Sequence, residues 1–272
     1  MATNTLKSGL DGFNTTCITQ VASTVLNLVG VEKATGMANP IPEVMEACGG
    51  FGGCDRVFMH NPDGIAQWIF NKYKKFSGAA YQASTLALEM LSVVPPVTPV
   101  CFGSMYSGLQ PKYHGIQAYE KPVLKCATIF DCLIEAGKKV AIVSTKGDSI
   151  SLIFLERNMD YFIYKSVSEC NKKAKELIKE DKYDVIVLYN TDYDYWMHRS
   201  SPTGIPALHA LKTNFKTYME LNELIKNEWG NKHKTALAFA PDHGCHRMAG
   251  ILGTHGIEKP CDMNIVHLWS VI

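Results

Sequence analysis

No stretch of this sequence is apolar for long enough to cross a bilayer. The run from Leu91 to Val100 falls well short of the roughly 20 residues a spanning helix needs, and Pro95 and Pro96 break it. The first ten residues are polar and lack the apolar centre of a secretory leader, so export is not expected. Excess charge of either sign is missing too. The 27 Lys and Arg stand against 26 Asp and Glu, which argues against a broad nucleic-acid-binding face. No internal repeat or low-complexity tract is present. The nine cysteines are an odd count at no disulfide-like spacing, which reads as reduced thiols in a cytoplasm. Cys48 and Cys54 bracket Gly-Gly-Phe-Gly-Gly, but zinc knuckles have tighter, doubled pairs. The glycines also miss the strand–turn–helix setting of a dinucleotide fingerprint, so a flexible loop ahead of a strand is expected.

What is present is a regular alternation. Short apolar runs with the character of buried strands occur at Arg56–His60, Lys139–Ser144, Asp184–Tyr189, Ala236–Phe239 and Ile265–Ser270. Between them, Pro122–Ala136, Ser168–Lys179 and Pro206–Asn227 carry apolar residues at helical spacing, as does Thr16–Val29. Strands buried on both faces and separated by helices predict an α/β fold, a three-layer αβα sandwich with a mainly parallel central sheet. A chain of 272 residues suits one large domain, with residues 1–54 as an N-terminal extension packing on the core.

In such folds ligands bind beyond the carboxyl ends of the strands. Asp63, Lys146, Asp192 with Asp194, and Asp242 with His243 each follow a different predicted strand, so all should reach one edge of the sheet. Asp194 and His198, four positions apart, can face one way on a helical turn and chelate a cation, although such a pair also occurs in solvated loops. Asp192 is the alternative at that position, and the spacing favours Asp194. Adjacent Asp242 and His243 need a folded turn to share a site, and His255 lies between glycines that permit close backbone approach. Thr98 before Pro99 reads as a helix N-cap with proline at the first helical position. The same helix end can bind a phosphate, with Thr98 as a nucleophile.

In order along the chain, Asp63-Gly64, Thr98, Ser104-Met-Tyr-Ser-Gly108-Leu-Gln-Pro-Lys-Tyr-His114-Gly-Ile116, Asp194-x-x-x-His198, Asp242-His243-Gly244 and Gly253-Thr-His255-Gly256 resemble the alkaline phosphatase superfamily. Within it, they resemble the type I phosphodiesterase and nucleotide pyrophosphatase branch. The resemblance covers about residues 55 to 256 and implies an alkaline-phosphatase-like core. It implies two divalent metal ions, usually zinc, with manganese or iron as alternatives. Asp194, His198 and His255 would hold one, and Asp63, Asp242 and His243 the other, with the Thr98 oxygen at the second or between them. The implied activity is hydrolysis of a small phosphodiester, phosphomonoester or phosphonate through a phospho-threonine intermediate.

The chain departs from that pattern in places. The asparagine that commonly helps bind the phosphoryl oxygen, three positions after the nucleophile, is Cys101 here, expected on the substrate side though a poor donor. Lys146, in Ser144-Thr-Lys-Gly147, resembles the lysine-bearing loop of phosphonoacetate hydrolases and is expected to contact the substrate. His246 is expected beside the site, as a substrate contact rather than a ligand. No segment is long enough for a large cap, so an open site is expected. A phosphomutase of the same superfamily and a non-catalytic metal- or phosphate-binding relative are the competing readings. The first usually has larger additional domains, and the second should have lost some of the ligand residues.

Overall fold

The computed structural model describes residues 6–248 and 252–272. From the N-terminus, β1 (Thr16–Cys17) leads to α1 (Gln20–Leu28) and α2 (Pro42–Cys48). Then come β2 (Arg56–Pro62), α3 (Gln67–Lys72), α4 (Lys74–Ala83), β3 (Leu86–Leu91), α5 (Thr98–Ser107) and α6 (Pro111–His114). The middle comprises α7 (Ile129–Glu135), β4 (Val140–Thr145), α8 (Ser149–Ile153), β5 (Asp160–Tyr164), α9 (Val167–Glu180) and β6 (Val185–Asn190). The chain continues through α10 (Asp192–Ser200), α11 (Ile205–Glu228), β7 (Thr235–Phe239), β8 (His246–Arg247) and β9 (Gly253–Thr254), and closes with α12 (Pro260–Met263) and β10 (Asn264–Val271).

Eight strands form one sheet in the order β1-β3-β10-β7-β2-β6-β4-β5. Every neighbouring pair is parallel except the two made by β10, which runs against β3 and β7. The central strands read as unbroken apolar runs because both faces are covered, and alternate residues feed opposite layers. Val57 and Met59 of β2, Val185 and Val187 of β6, and Ala236 and Ala238 of β7 join α1, α2, α5, α7 and α8 in one core. Phe58, Ile186, Leu188, Leu237 and Phe239 point the other way, into a second core with α3, α4, α9, α10 and α11. The result is the expected αβα sandwich with a mainly parallel sheet. The segment before residue 54 contributes β1 to the sheet edge and α1 to the first core.

Three departures from the sequence reading have physical causes. The strand β3 is Leu-Ala-Leu-Glu-Met-Leu, built of good helix formers, so local propensity hides it. Its extended state comes from a six-residue register with β10. The helix expected over Pro122–Ala136 forms only from Ile129, where Thr128 and Asp131 make a reciprocal capping box. Upstream, the Arg157 guanidinium takes the carbonyls of Leu124 at 3.1 Å and Cys126 at 3.4 Å, groups a helix would have used. Thr98 is not the N-cap of α5: Val97 holds that position and Thr98 is the first helical residue, its hydroxyl free of any capping bond.

Asn61 ties three segments of the sheet edge together. It is fully buried near the end of β2, donates to the Ala240 carbonyl beyond β7 at 2.7 Å, and accepts from the Tyr106 hydroxyl of α5 at 2.5 Å. Removing the amide strands a phenol and a carbonyl away from water. Asn61→Leu should therefore lose about 2–4 kcal/mol of unfolding free energy. Urea denaturation measures this, and a loss within 0.5 kcal/mol (about the error of additivity) would show that the tie is not needed.

Candidate functional site

The carboxyl ends of β2, β6 and β7 lie side by side in the sheet, and each hands the chain to a ligand-type residue. Asp63 follows β2, and Asp242 and His243 follow β7, all three essentially inaccessible to water. Asp194 lies in the first turn of α10, just beyond β6, and places its carboxylate one helical turn from His198. Thr98, at the start of α5, is also buried.

Distances show the convergence. The Nε2 atom of His243 is 3.3 Å from Asp63 Oδ1, 3.4 Å from Asp242 Oδ2 and 3.3 Å from Thr98 Oγ1. Thr98 Oγ1 is 3.4 Å from Asp63 Oδ2, which also accepts from the Tyr189 hydroxyl. Asp194 Oδ1 is 3.4 Å from Nε2 of both His198 and His255. The ring of His255 stacks on His243 with centroids 4.0 Å apart.

The three imidazoles share one orientation. Nδ1 faces a backbone carbonyl in each: Gly253 at 3.1 Å for His198, Gly244 at 2.9 Å for His243 and Pro96 at 3.0 Å for His255. A carbonyl only accepts, so Nδ1 must be the donor, and in a neutral ring Nε2 then presents a lone pair. Burial favours the neutral ring in two of them: it lowers the His198 pKa and pushes that of His255 down to about 2. The lone pairs face carboxylate oxygens, and Asp63 Oδ1, Asp194 Oδ1 and Asp242 Oδ2 are buried without a hydrogen-bond partner among the described residues. Acceptors directed at acceptors, all out of water, are costly unless a cation lies among them. Asp194, His198 and His255 have donor atoms within 4.8 Å of one another, as do Asp63, Asp194 and His243. Asp194 thus belongs to both groups. The mixture of imidazole nitrogen and carboxylate oxygen suits a borderline divalent metal such as zinc.

Two glycines make the approach possible. Gly64 has φ +74°, its N–H donates to Asp242 Oδ1 at 3.2 Å, and a Cβ there would lie 3.0 Å from Asp194 Oδ1. At Gly253 a Cβ would come within 2.3 Å of Met197 Sδ, so only glycine lets β9 approach α10 closely enough to orient His198.

Other expected contacts lie elsewhere. Cys101 is fully buried with its thiol 3.1 Å from the Ser92 hydroxyl, so it has no surface for a substrate. Lys146 is exposed beyond β4 and does not line the cavity over the ligands. His246 is bound through Nδ1 to Asp262 Oδ1 at 2.8 Å, and Asp262 also accepts from the Ile257 N–H. That pairing braces the turn that follows Asp242 and His243. Asp192 lines a separate cavity of about 560 Å³ between α9 and α11, which contains none of the clustered ligands. The cavity over the cluster measures about 380 Å³ and is lined by Asp194, His198 and His255 together with Tyr119, Thr191, Tyr195 and Arg199. Sequence reasoning missed those last four and Tyr189. Tyr195 and Arg199 carried one usable signal, the i,i+4 spacing that Asp194 and His198 share.

No family model and no curated protein sequence matches the chain. Solved structures do. Murine ectonucleotide pyrophosphatase/phosphodiesterase 5, an inactive threonine-to-alanine variant in complex with AMP, superposes with a TM-score of 0.59 at 16% identity over 72% of this chain and 58% of that one. The human protein gives 0.57 at 16% identity over 71% and 58%. Phosphonoacetate hydrolase from Sinorhizobium meliloti, in complex with phosphonoformate, gives 0.53 at 17% identity over 70% and 56%. The chain spans less than two thirds of each. The fold is the one these proteins share.

Two measurements test the cluster as a metal centre. Gly253→Ala should weaken zinc affinity about tenfold or more by displacing the carbonyl that orients His198. Competition with a chromophoric chelator reads this, and unchanged affinity would show that the close approach is not needed. Burial and repulsion from Asp63 raise the pKa of both Asp194 and Asp242 well above the usual carboxylate range. The metal-free protein therefore retains protons that a cation must expel, whereas His255 has none to lose above about pH 2. Affinity should fall as the pH is lowered from 7 to 5, a range in which exposed aspartates (pKa about 3.9) are already ionised. Calorimetry showing no proton release there would contradict this.

Proposed function

We propose that the protein hydrolyses small phosphate esters, with Thr98 as nucleophile, at a centre of two divalent cations. The observation that carries this reading is the set of unpartnered carboxylate oxygens and inward-facing Nε2 atoms arranged around a buried threonine hydroxyl. Asp194, His198 and His255 would hold one cation, and Asp63, Asp242 and His243 the other, next to Thr98. Such a pair, most suitably zinc with manganese or iron as substitutes, would neutralise the carboxylates and stabilise charge on the entering and leaving oxygens.

The chain's own part is positioning. Thr98 opens a ten-residue helix, so the positive end of the α5 dipole favours negative charge at its hydroxyl and at a phosphoryl group beside it. Thr98 Oγ1 releases its proton to solvent and forms a bond to phosphorus. The ester P–O bond breaks, and the leaving oxygen departs with that electron pair and takes up a proton from solvent. Water then attacks phosphorus and loses a proton, the Oγ1–P bond breaks, and Oγ1 takes up a proton to restore the threonine hydroxyl. The fully buried back of the cluster limits attack by water to the cavity side. The cavity, with no large cap over it, fits a small monoester, diester or phosphonate.

The related structures support this reading, because a murine neighbour is inactive when a threonine is replaced by alanine and binds AMP, and another neighbour binds phosphonoformate. One catalytic domain over residues 1–272 is part of the proposal. A cytoplasmic location is also part of it, supported by nine free cysteines. No described helix is long and apolar enough to cross a membrane.

Zinc-, manganese- and iron-loaded protein should be assayed on matched aryl phosphomonoester, phosphodiester and phosphonate substrates. Thr98→Ala should keep its metal content and lose at least about 1,000-fold in kcat, the scale expected when an attacking group is removed. Thr98→Ser should retain measurable turnover. Wild-type rates in Thr98→Ala would overturn the nucleophile. Absence of turnover with every metal, despite full loading, would overturn hydrolysis.

A further inference from the structure

Arg199 differs from the other three arginines. Arg56 is paired with Asp181 and Asp184, Arg157 with Asp131, and Arg247 donates to the Thr203 hydroxyl. No carboxylate pairs with Arg199 among the described residues. Among the described residues its one side-chain hydrogen bond runs from Nη1 to the Tyr195 carbonyl at 3.0 Å, and its guanidinium lies 3.6 Å over the Tyr195 ring. Stacking and that bond hold the planar fork in place while its remaining N–H groups stay available, so little order is lost when an anion binds.

The placement gives this meaning. Arg199 directly follows His198 and lines the same cavity of about 380 Å³. It is the one arginine or lysine among the described residues on that wall. Tyr119 and Tyr195 line the cavity too and are 62% and 44% exposed, presenting aromatic surface at its mouth. At this volume, the low end of ligand pockets, one small molecule touches both the ligand cluster and the guanidinium.

We propose that Arg199 sets substrate choice by binding a second oxyanion, a carboxylate or phosphate, carried on the leaving group of the ester. The inference rests on the hydrolytic reading above. In it, the phosphoryl group lies over the cluster at Thr98, the body of the leaving group lies along Tyr119 and Tyr195, and its far anion engages the Arg199 fork. Guanidinium pairs with carboxylate and phosphate through two parallel hydrogen bonds, which a lysine cannot reproduce.

The test compares phenyl phosphate with 4-carboxyphenyl phosphate and 1,4-phenylene bisphosphate, in wild type, Arg199→Gln and Arg199→Lys. Intrinsic leaving-group differences cancel when the kcat/KM preference for charged over uncharged substrate is compared between proteins. That preference should fall about tenfold or more in Arg199→Gln and less in Arg199→Lys. The two charged substrates tell whether carboxylate or phosphate is the better fit. Calorimetric binding of benzylphosphonate and 4-carboxybenzylphosphonate to the zinc-loaded proteins gives a readout independent of turnover. If binding prefers the carboxylate and loses that preference in Arg199→Gln while nothing is hydrolysed, the recognition role stands and hydrolysis fails. Hydrolysis and binding with the same preference in wild type and Arg199→Gln, or with none in either, would overturn the role of Arg199.

Discussion

Three carboxylates buried within one cluster, with oxygens that no donor satisfies, are the constraint on which the rest of the structure depends. Asp63, Asp194 and Asp242 repel one another when ionised, and each is shielded from the water that would otherwise stabilise it. Replacing them with apolar residues would relieve that conflict in the metal-free chain. Their presence, with three Nε2 lone pairs directed at the same space, makes sense as a binding site for positive charge. Much of the surrounding architecture keeps these groups from escaping to solvent.

The restraint is mutual, because the backbone that orients one ligand belongs to the loop that carries another. His255 is held by the Pro96 carbonyl, two residues before Thr98. His198 is held by the carbonyl of Gly253, two residues before His255. Asp242 accepts from the N–H of Gly64, next to Asp63, while the Asp63 N–H donates to the Asn190 carbonyl at the end of β6. Asn61 and Ser92 tie the same strand ends from below, Ser92 by donating to the Asp242 carbonyl at 2.7 Å. Bonds of this kind couple the loops, so a shift in one is felt by ligands it does not carry. The parallel order of β7, β2 and β6 is what brings these loops to one edge.

How much of this could be read from sequence depends on where the information lies. The central strands were legible because burial on both faces leaves uninterrupted apolar runs, and the residues following β2, β6 and β7 were legible because parallel strands deliver them together. Asp194 could be preferred to Asp192 on helical spacing alone, and the structure places Asp192 in a different cavity. The half-exposed edge strand β5 and the leucine-rich β3 were not legible, since pairing rather than composition makes them strands. Lys146, Cys101 and His246 were placed on the substrate side by their position in the chain. A side chain's direction follows from local packing: Cys101 turns to Ser92 and His246 to Asp262. Tyr119 carried no signal because it lies in an irregular segment without periodicity.

The cluster and its rim obey different physics. Within the cluster Asp63, Thr98, Asp242 and His243 are buried, and Asp194, His198 and His255 face the cavity. Backbone carbonyls orient the imidazoles, so the cluster's chemistry tolerates little change in residue type. On the rim, Tyr119, Tyr195 and Arg199 are exposed side chains that share the cavity but contribute nothing to holding the ligands in place. On the hydrolytic reading, a substitution there would change what fits beside the reacting phosphorus while leaving the hydrogen bonds that orient the imidazoles in place. Under that proposal, such a division would let one rigid centre serve different esters. Reaction class would then be set by the ligand cluster, and substrate choice by the few residues around the mouth.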